Sequence, residues 1–360
     1  MSQPAHEAFM GRAIQLARRG EGSVEPNPLV GCVVVRDDQV VGEGWHERFG
    51  GPHAEVNALQ AAGALAQGAT LYVTLEPCCH TGKTPPCVSA VIASGVQQVV
   101  IAHHDPFPQV DGAGVAALQA AGVECVEGVL KAEAAQLLAP YLKLVTTGRP
   151  WVIGKWAMTL DGKIATRTGS SKWISGEASR AFAHEIRGRM DAIVVGAGTL
   201  VADDPLLTAR PPGPRKPVRV VIAGDRPLPL DRKLWKTPDG GPVLVAIGAG
   251  YPIDEAAALE SCGVEVIQAE ADALLDELGR RRLTNVLVEG GGKLLGQLFD
   301  ERLVDEALVF IAPKIIGGHA APGPLGGIGA ESIEHALKLV SPSWICLGDD
   351  LCLRGRLPSA

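Results

Sequence analysis

The sequence predicts an α/β protein with two domains, and three observations support this prediction. The chain has 360 residues, which is more than one typical domain contains. Short apolar runs alternate with segments of helical periodicity, an order typical of a mostly parallel sheet that helices cover on both faces. The loop-forming stretch TTGRP at 146–150 interrupts the alternation. We therefore expect a first domain over residues 1–147 and a second over residues 148–360.

The first domain is predicted from two kinds of segment. Runs rich in valine and isoleucine favour strands, and apolar residues spaced three and four apart favour helices. The predicted helices cover about 5–19, a segment with His53 and Glu55 in its first turn, 86–94, 113–121 and 131–145, and the predicted strands cover 30–35, 40–45, 71–75, 97–102 and 123–128.

The second domain is predicted from a new alternating series that opens with WVIGKWAMTLDGKIA at 151–165. Stretches rich in proline and glycine at 210–217 and 317–329 are predicted surface loops. No internal repeat relates the two halves. The predicted strands cover 191–196, 218–223, 242–248, 264–269, 285–290 and 306–316, and a closing antiparallel hairpin turned at Gly348-Asp349-Asp350 covers 345–357.

The composition narrows the class of protein. Lysine and arginine number 33 against 40 aspartate and glutamate, and this net charge of −7 disfavours nucleic acid as the main partner. Aromatic residues make up only 4%, which leaves few side chains for stacking exposed bases. The eight cysteines form no regular framework, as in proteins of a reducing compartment. Since neither a signal peptide nor a membrane span is evident, we expect a soluble, cytoplasmic protein.

The most informative motif is HAE at 53–55, followed by Pro77, Cys78 and Cys87. One histidine and two cysteines can bind zinc through three ligands and leave a fourth position for water. Glu55 is well placed to transfer protons for that water, and H-x-E…P-C is the signature of zinc-dependent base deaminases. The usual P-C-x-x-C is replaced here by PCCHTGKTPPC, with eight residues between the two cysteines. The motif predicts a catalytic zinc site.

Simpler explanations of this motif exist. An isolated H-x-E can be a surface sequence, and buried cysteines can be small apolar residues. A structural zinc site with four protein ligands is another alternative, because Cys79 or His80 could supply the fourth ligand. The neighbouring pattern favours the catalytic site: Pro52 stands near the start of a predicted helix, and a predicted buried strand at 71–75 leads directly to Cys78.

A second candidate site follows the strand VLVEG in the segment VLVEGGGKLLGQLF at 286–299. Glycines before a helix that starts at Lys293 allow backbone N–H groups to approach an anion. The segment matches neither a P-loop nor G-x-G-x-x-G, so a Rossmann site is not expected. A phosphate-binding turn and a plain tight turn both remain open.

Arginines near this segment also point to a phosphorylated ligand, because the guanidinium group binds phosphate through two hydrogen bonds. Arg180 and Arg187 lie on the helix predicted after Ser175, and Arg210 follows the sequence ADDPLLTA. Helix arginines also pair with neighbours in solvent, and Glu185 stands four residues before Arg189. Arg189 is therefore expected at the surface, while Arg187 and Arg210 remain candidates for either role.

With these motifs in place, the chain resembles the bifunctional riboflavin-biosynthesis deaminase–reductases over essentially its full length. The matching segments are PNPLVGCVVV (26–35), GWHERFGGPHAEVNAL (44–59), TLEPCCHTGKTPPC (74–87), DPFPQVDGAG (105–114), TLDGKIA (159–165), SSKWIS (170–175), TLVADDPLLTAR (199–210) and VEGGGKLL (288–295). The resemblance implies a cytidine-deaminase-like three-layer domain followed by a dihydrofolate-reductase-like domain. It also implies one Zn²⁺ per chain, NADPH, a phosphorylated pyrimidine substrate, a homo-oligomer, and neither nucleic acid nor membrane as a partner.

The resemblance further implies the roles of individual residues. Zinc ligands would be His53, Cys78 and Cys87, with Glu55 as catalytic proton shuttle and Cys79 as a neighbour. Substrate contacts would be Asn27, His46, His80 and Lys83 in the first domain, and Lys155, Ser171, Arg187, Leu207, Arg210 and Glu289 in the second. Nucleotide contacts would be Ala157, Trp173, Thr199, Asp203, Gly224, and the turn of Gly291, Gly292, Lys293, Leu294, Leu295, Gly296 and Gln297. At Gly224 the family often has a side chain.

Two other classes of protein remain as alternatives. The chain could be a zinc deaminase that acts on an RNA base and carries an appended binding domain, although its acidic charge and few aromatic residues oppose this. It could also be a nonenzymatic binding protein stabilised by zinc, in which Glu55 would have no purpose.

Overall fold

The computed structural model describes residues 3–82 and 85–358, which form two compact units divided between Gly148 and Arg149. Among these residues, none of the helices combines the length and the apolar character needed to cross a lipid bilayer.

The first unit contains one mixed sheet with helices around it. Its strands have the order β2-β1-β3-β4-β5 among the described residues. β3, β4 and β5 are parallel, whereas β1 is antiparallel to both β2 and β3. In chain order the elements are α1 (Gln3–Ala17), β1 (Gly31–Arg36), β2 (Gln39–Trp45), α2 (Ala54–Ala62), β3 (Thr70–Leu75), α3 (Cys87–Ala93), β4 (Gln98–His103), α4 (Ala113–Ala120), β5 (Glu124–Glu127) and α5 (Lys131–Thr147).

The prediction of a mostly parallel sheet is wrong at β1 and β2. These strands are joined by Asp37 and Asp38, which have φ angles of 51° and 59°. Positive φ at both central residues is the requirement of a tight two-residue hairpin. Aspartate tolerates this conformation, so the chain reverses without an intervening helix.

Helix α2 lies directly on the sheet, and this contact fixes the position of the residues at its start. A Cβ atom at Gly44 of β2 would lie 2.4 Å from the backbone N of Ala58 and 2.6 Å from the carbonyl O of Ala54. Only glycine permits so close an approach of strand and helix. His53 precedes α2 as its N-cap and Glu55 lies in its first turn, so both residues are held against the sheet.

The second unit contains a larger sheet in the order β10-β9-β8-β7-β11-β6-β12-β14-β13. Every pairing from β10 to β12 is parallel, as predicted, and β14 and β13 add an antiparallel hairpin. In chain order the elements are β6 (Trp151–Thr159), α6 (Glu177–Arg187), β7 (Ala192–Gly196), α7 (Ala197–Asp203), β8 (Val218–Gly224), β9 (Val243–Ile247), α8 (Ile253–Ser261), β10 (Glu265–Gln268), α9 (Ala271–Arg280), β11 (Asn285–Glu289), α10 (Gly292–Asp300), β12 (Glu306–Ala312), β13 (Val340–Leu347) and β14 (Asp350–Arg356).

Apolar cores lie on the two faces of this sheet. Ile186 of α6 and Leu200 of α7 pack on one face, and Leu274 of α9 and Leu298 of α10 pack on the other. The predicted strand 306–316 ends early, at Ala312, because Pro313 has no N–H to donate to a neighbouring strand. The predicted hairpin is present, and the predicted loops 210–217 and 317–329 contain neither helix nor strand.

Candidate active sites

Three different elements bring His53, Cys78 and Cys87 together in the first unit. His53 is the N-cap of α2, Cys78 lies just after β3, and Cys87 is the first residue of α3. The Nδ1 atom of His53 lies 3.1 Å from Sγ of Cys87 and 3.5 Å from Sγ of Cys78. All three ligand atoms lie within 4.8 Å of one another. One imidazole and two thiolates in this arrangement suit a zinc ion and leave a coordination position open.

Glu55 is buried beside this cluster, with 3% of its surface exposed. Burial raises the pKa of Glu55 to about 7, because water no longer solvates the carboxylate. A hydrogen bond from Cys87 and the charge of His53 act in the opposite direction but are weaker than burial. A carboxyl group with a pKa near neutrality can both accept and donate a proton, which is the property that a proton shuttle needs.

His46 and Asn27 form the wall next to His53. The rings of His46 and His53 meet edge to face, with centroids 5.2 Å apart. Nδ1 of His46 lies 3.0 Å from the carbonyl O of Pro52, which can only accept, so Nδ1 carries the proton. The amide of Asn27 then donates to Nε2 over 3.2 Å. Burial lowers the pKa of His46, which keeps this imidazole neutral.

His80 lies on the loop between Cys78 and Cys87. Its Nδ1 atom is buried and has no hydrogen-bond partner among the described residues. Its ring packs on Phe107, with centroids 5.6 Å apart. The thiol of Cys79 donates to the carbonyl O of Gln109 over 3.3 Å and is not part of the ligand cluster. Lys83, another predicted substrate contact, lies outside the described residues.

The sequence indicated no role for Glu76, which organises the loop that contains Phe107. Glu76 is buried and accepts hydrogen bonds from the backbone N atoms of Asp105, Gly112 and Val115 at 3.1–3.4 Å. His104 adds an ion pair of 2.9 Å to the same carboxylate. Glu76 therefore holds the loop that presents Phe107 to His80. The position of this glutamate, between a predicted buried strand and the Pro-Cys pair, is the sequence feature that could have identified it.

The second unit contains a buried cluster of charges at the end of β11. Glu289 is the last residue of β11 and is aligned with Lys155 of the parallel strand β6. Arg187 donates two hydrogen bonds of 2.6 Å to the Glu289 carboxylate. Burial raises the pKa of Glu289, but Arg187 and Lys155 outweigh it and bring the pKa to about 2. Burial lowers the pKa of Lys155, whose Nζ lies 5.2 Å from the centre of the Phe310 ring.

The remaining predicted substrate contacts lie near this cluster or in the core. Arg210 is exposed, and its Nη2 lies 3.4 Å from Nε2 of His184, one helical turn before Arg187. The side chain of Leu207 is 1% exposed and packs in the core, so a ligand could meet only its backbone. Ser171 is partly exposed.

The glycine turn after β11 packs against another segment of the chain, which the sequence did not predict. Helix α10 begins at Gly292, and the N–H of its N-cap, Gly291, donates to the Thr199 hydroxyl over 3.1 Å. Cβ atoms at Gly292 and Gly296 would lie 2.8 Å from the carbonyl O of Gly323 and 2.3 Å from Gly326. These two glycines therefore accommodate a neighbouring loop. Leu294 and Leu295 are buried, so they too could meet a nucleotide only through their backbone.

Other predicted nucleotide contacts are distributed along the same edge of the sheet. Ala157 is near the end of β6, Asp203 ends α7, and Gly224 ends β8. Trp173 is 65% exposed, and the guanidinium of Arg180 lies 4.8 Å from the centre of its ring. Arg189 forms an exposed ion pair with Glu185, as expected for a surface residue.

Comparison with protein families defines the class of this chain. The region 3–103 matches the cytidine and deoxycytidylate deaminase zinc-binding region, and the region 150–353 matches the RibD C-terminal domain. The chain is thus a deaminase joined to a reductase, and the predicted fold class is confirmed.

Individual relatives extend this match to the full length. Riboflavin biosynthesis protein RibD of Actinobacillus pleuropneumoniae is 42% identical, with 96% of this chain and 93% of that protein covered. For RibD of Escherichia coli the identity is 38%, with 96% and 98% covered. The structure of RibD from Acinetobacter baumannii (form 1) has a TM-score of 0.88 at 37% identity, over 99% of this chain and 100% of that one. The chain belongs to the RibD family of bifunctional enzymes of riboflavin biosynthesis.

The predicted resemblance is therefore confirmed at the level of family, and so is the bifunctional activity. The alternative of an RNA-base deaminase with an appended binding domain is not supported, because relatives named for riboflavin biosynthesis match both halves. A zinc-binding deaminase region and a reductase domain together imply zinc and a nucleotide cofactor.

The ligand cluster leads to a test of which thiols bind the metal. We expect Cys78→Ser and Cys87→Ser to lose zinc and deaminase activity, because a neutral hydroxyl replaces a thiolate poorly. Cys79→Ser is the matched control and should keep both, since its thiol donates to Gln109. Metal content by mass spectrometry gives the answer, and reductase activity reports folding of the remaining chain. Loss of zinc from Cys79→Ser would show that the ligand set is wrong.

Proposed function

We propose that the chain catalyses two successive reactions on one phosphorylated pyrimidine. Residues 1–147 hydrolytically deaminate 2,5-diamino-6-(5-phosphoribosylamino)pyrimidin-4(3H)-one, and residues 148–360 use NADPH to reduce the ribosyl group of the product to ribityl. A solved relative from Thermotoga maritima carries both activities in its name, at 37% identity and a TM-score of 0.85 over 99% of each chain. The observation that carries the proposal is the buried carboxyl group of Glu55 beside a cluster of one histidine and two cysteines.

In the deamination, His53, Cys78 and Cys87 would hold the zinc ion. When bound, zinc lowers the pKa of a water molecule toward about 7 and so makes a nucleophile available at neutral pH. Glu55 would accept one proton of that water and pass it to the ring nitrogen as oxygen adds to the ring carbon. It would then transfer the proton of the added hydroxyl to the amino group, which leaves as ammonia when the C–N bond breaks. Its burial favours these transfers, because the ionised and neutral forms are close in free energy at a pKa of about 7.

The surrounding side chains orient the pyrimidine. Neutral His46 fixes the amide of Asn27, whose carbonyl oxygen remains available to accept from an exocyclic amino group. The buried Nδ1 of His80, which has no hydrogen-bond partner among the described residues, offers a hydrogen bond to substrate, and Phe107 supports the His80 ring. Lys83 adds a positive charge for the phosphate.

In the reduction, NADPH supplies the hydride and the protein supplies orientation. Lys155 and Glu289 hold the sugar near the nicotinamide, with Ala157 and Trp173 on the nucleotide side. Arg187 neutralises Glu289 through two hydrogen bonds, so we assign the 5′-phosphate mainly to exposed Arg210. Ser171 and the backbone at Leu207 complete the substrate contacts.

The residues that would hold the nucleotide lie along the carboxyl edge of the second sheet. Thr199 would contribute from the first turn of α7, Asp203 from its last residue and Gly224 from the end of β8. The Gly291–Gln297 segment would contribute from the start of α10. The N-terminus of a helix attracts phosphate through its free N–H groups and its dipole.

Further properties belong to the same proposal. We assign one zinc ion per chain, because His53, Cys78 and Cys87 are the group of potential ligands found among the described residues. The absence of disulfides among described cysteines fits the cytoplasm. A homo-oligomer fits the apolar side chains that β13 and β14 expose, where Trp344 is 58% and Leu351 42% exposed. Nucleic acid and membrane are not among the proposed partners.

Glu55→Gln tests the proton shuttle. The substitution keeps the size and hydrogen-bonding capacity of the side chain but removes its ability to transfer a proton. We expect deamination, followed as ammonia release, to fall by about 10²–10⁴-fold. Zinc content and the reduction of separately supplied deaminated intermediate should not change. Retention of near-normal ammonia release would contradict the role of Glu55.

Separate fragments test the division of labour. The two units have separate cores and are divided at Gly148–Arg149. We therefore expect fragment 1–147 to bind zinc and deaminate, and fragment 148–360 to bind NADPH and reduce the deaminated intermediate. A folded 148–360 fragment, judged by circular dichroism, that fails to bind NADPH would overturn the assignment of the second domain.

A further inference from the structure

The turn after β8 contains an arginine that has no role in the two reactions proposed above. Arg226 lies two residues beyond Gly224, is exposed, and forms no ion pair or side-chain hydrogen bond with any described residue. We propose that Arg226 binds the 2′-phosphate of NADPH and so determines the preference for NADPH over NADH. This inference rests on the proposed reductase function and names a residue that selects its cofactor.

The order of the strands places this turn at the adenosine end of the nucleotide. Lys155 and Glu289, the proposed sugar contacts, lie on the adjacent strands β6 and β11. The nicotinamide must reach the sugar there, while β7 and then β8 follow β11 in the sheet. A nucleotide with its pyrophosphate near Gly291 and Thr199 therefore extends its adenosine toward β8. Parallel strands present their carboxyl ends at one edge, where ligands bind in α/β sheets.

The backbone at Gly224 leaves room for a ribose. Gly224 has a φ of 56°, and a Cβ atom built there would meet nothing within 4 Å. Because glycine adds no side chain, this space is open to a ligand. The turn is anchored to the core, because Leu228 donates its N–H to the hydroxyl of the buried residue Tyr251 over 3.1 Å.

The charges on this turn favour a phosphate over a hydroxyl. In Rossmann dinucleotide sites an acidic side chain accepts a hydrogen bond from the ribose 2′-hydroxyl of NAD, whereas an arginine accommodates the 2′-phosphate of NADP. The same charge preference applies to a charged group on this turn. Asp225 is committed elsewhere: its Oδ1 accepts the N–H of Gly250 over 2.8 Å, and a Cβ atom at Gly248 would lie 2.3 Å from the same oxygen. Arg226 is thus the charged group on the turn whose side chain has no partner among the described residues.

Neighbouring cations are less suited to this role because they already have anionic partners. Lys233 lies 3.5 Å from a carboxylate oxygen of Asp204, and Arg232 lies 2.7 Å from one of Asp231. A guanidinium without such a partner can form two charge-assisted hydrogen bonds with a phosphate.

Binding measurements on the full-length protein test this inference. The probes are NADP⁺, NAD⁺, 2′,5′-ADP and AMP, titrated calorimetrically into wild type, Arg226→Gln, Arg226→Lys and Arg302→Gln. Arg302 is the matched control: it carries the same charge but precedes β12, so it lies at the amino edge of the same sheet. Unchanged ammonia release confirms that each variant is folded.

We expect Arg226→Gln to bind NADP⁺ and 2′,5′-ADP about 10- to 100-fold more weakly, since hydrogen bonds to charged groups contribute on this scale. Binding of NAD⁺ and AMP should not change, Arg226→Lys should retain part of the preference, and Arg302→Gln should match wild type. If Arg226→Gln keeps the wild-type ratio of NADP⁺ to NAD⁺ affinity, or if wild type does not discriminate, the inference is wrong while the reductase assignment stands. If wild type binds no nicotinamide nucleotide, the proposed reductase function fails as well.

Discussion

Burial of charged side chains is the constraint on which both active sites depend. A carboxylate removed from water is costly unless hydrogen bonds or opposite charges compensate it. Glu76 is compensated by three backbone N–H groups and His104, and Glu289 is compensated by Arg187 and Lys155. Glu55 lacks comparable compensation, and burial raises its pKa to about 7. The same burial thus gives two carboxylates whose positions are fixed by their partners and one that can exchange protons.

The two units use this constraint for different chemistry. In the first unit, the buried charge is local: His53 and Glu55 belong to one helix start, which a close helix–strand contact at Gly44 fixes on the sheet. In the second unit, charges from β6, β11 and α6 meet across the sheet edge, and the nucleotide edge continues past them to β8. The first arrangement suits one metal and one proton shuttle. The second suits two extended ligands that must lie side by side.

The sequence was sufficient for the elements whose residues are buried on both sides. The apolar runs predicted β3, β4, β7 and β11 to within one or two residues, because a fully buried strand must be apolar throughout. The hairpin at Asp37-Asp38 was missed because its conformation depends on two residues that rarely adopt it together. The contacts that define the sites also could not be predicted from the sequence. The packing of Gly292 and Gly296 on 323–326, and the pairing of Arg187 with Glu289, join segments distant in the chain.

The coordination of zinc tests the central claim, an open site with one nitrogen and two sulfur ligands, most directly. X-ray absorption at the zinc edge of the full-length protein should give two sulfur neighbours at about 2.3 Å and one imidazole nitrogen at about 2.0–2.1 Å. The fourth neighbour should be a light atom that a competing anion displaces. A third sulfur, or a second imidazole that no anion displaces, would indicate a closed structural site that uses Cys79 or His80 and would contradict the account.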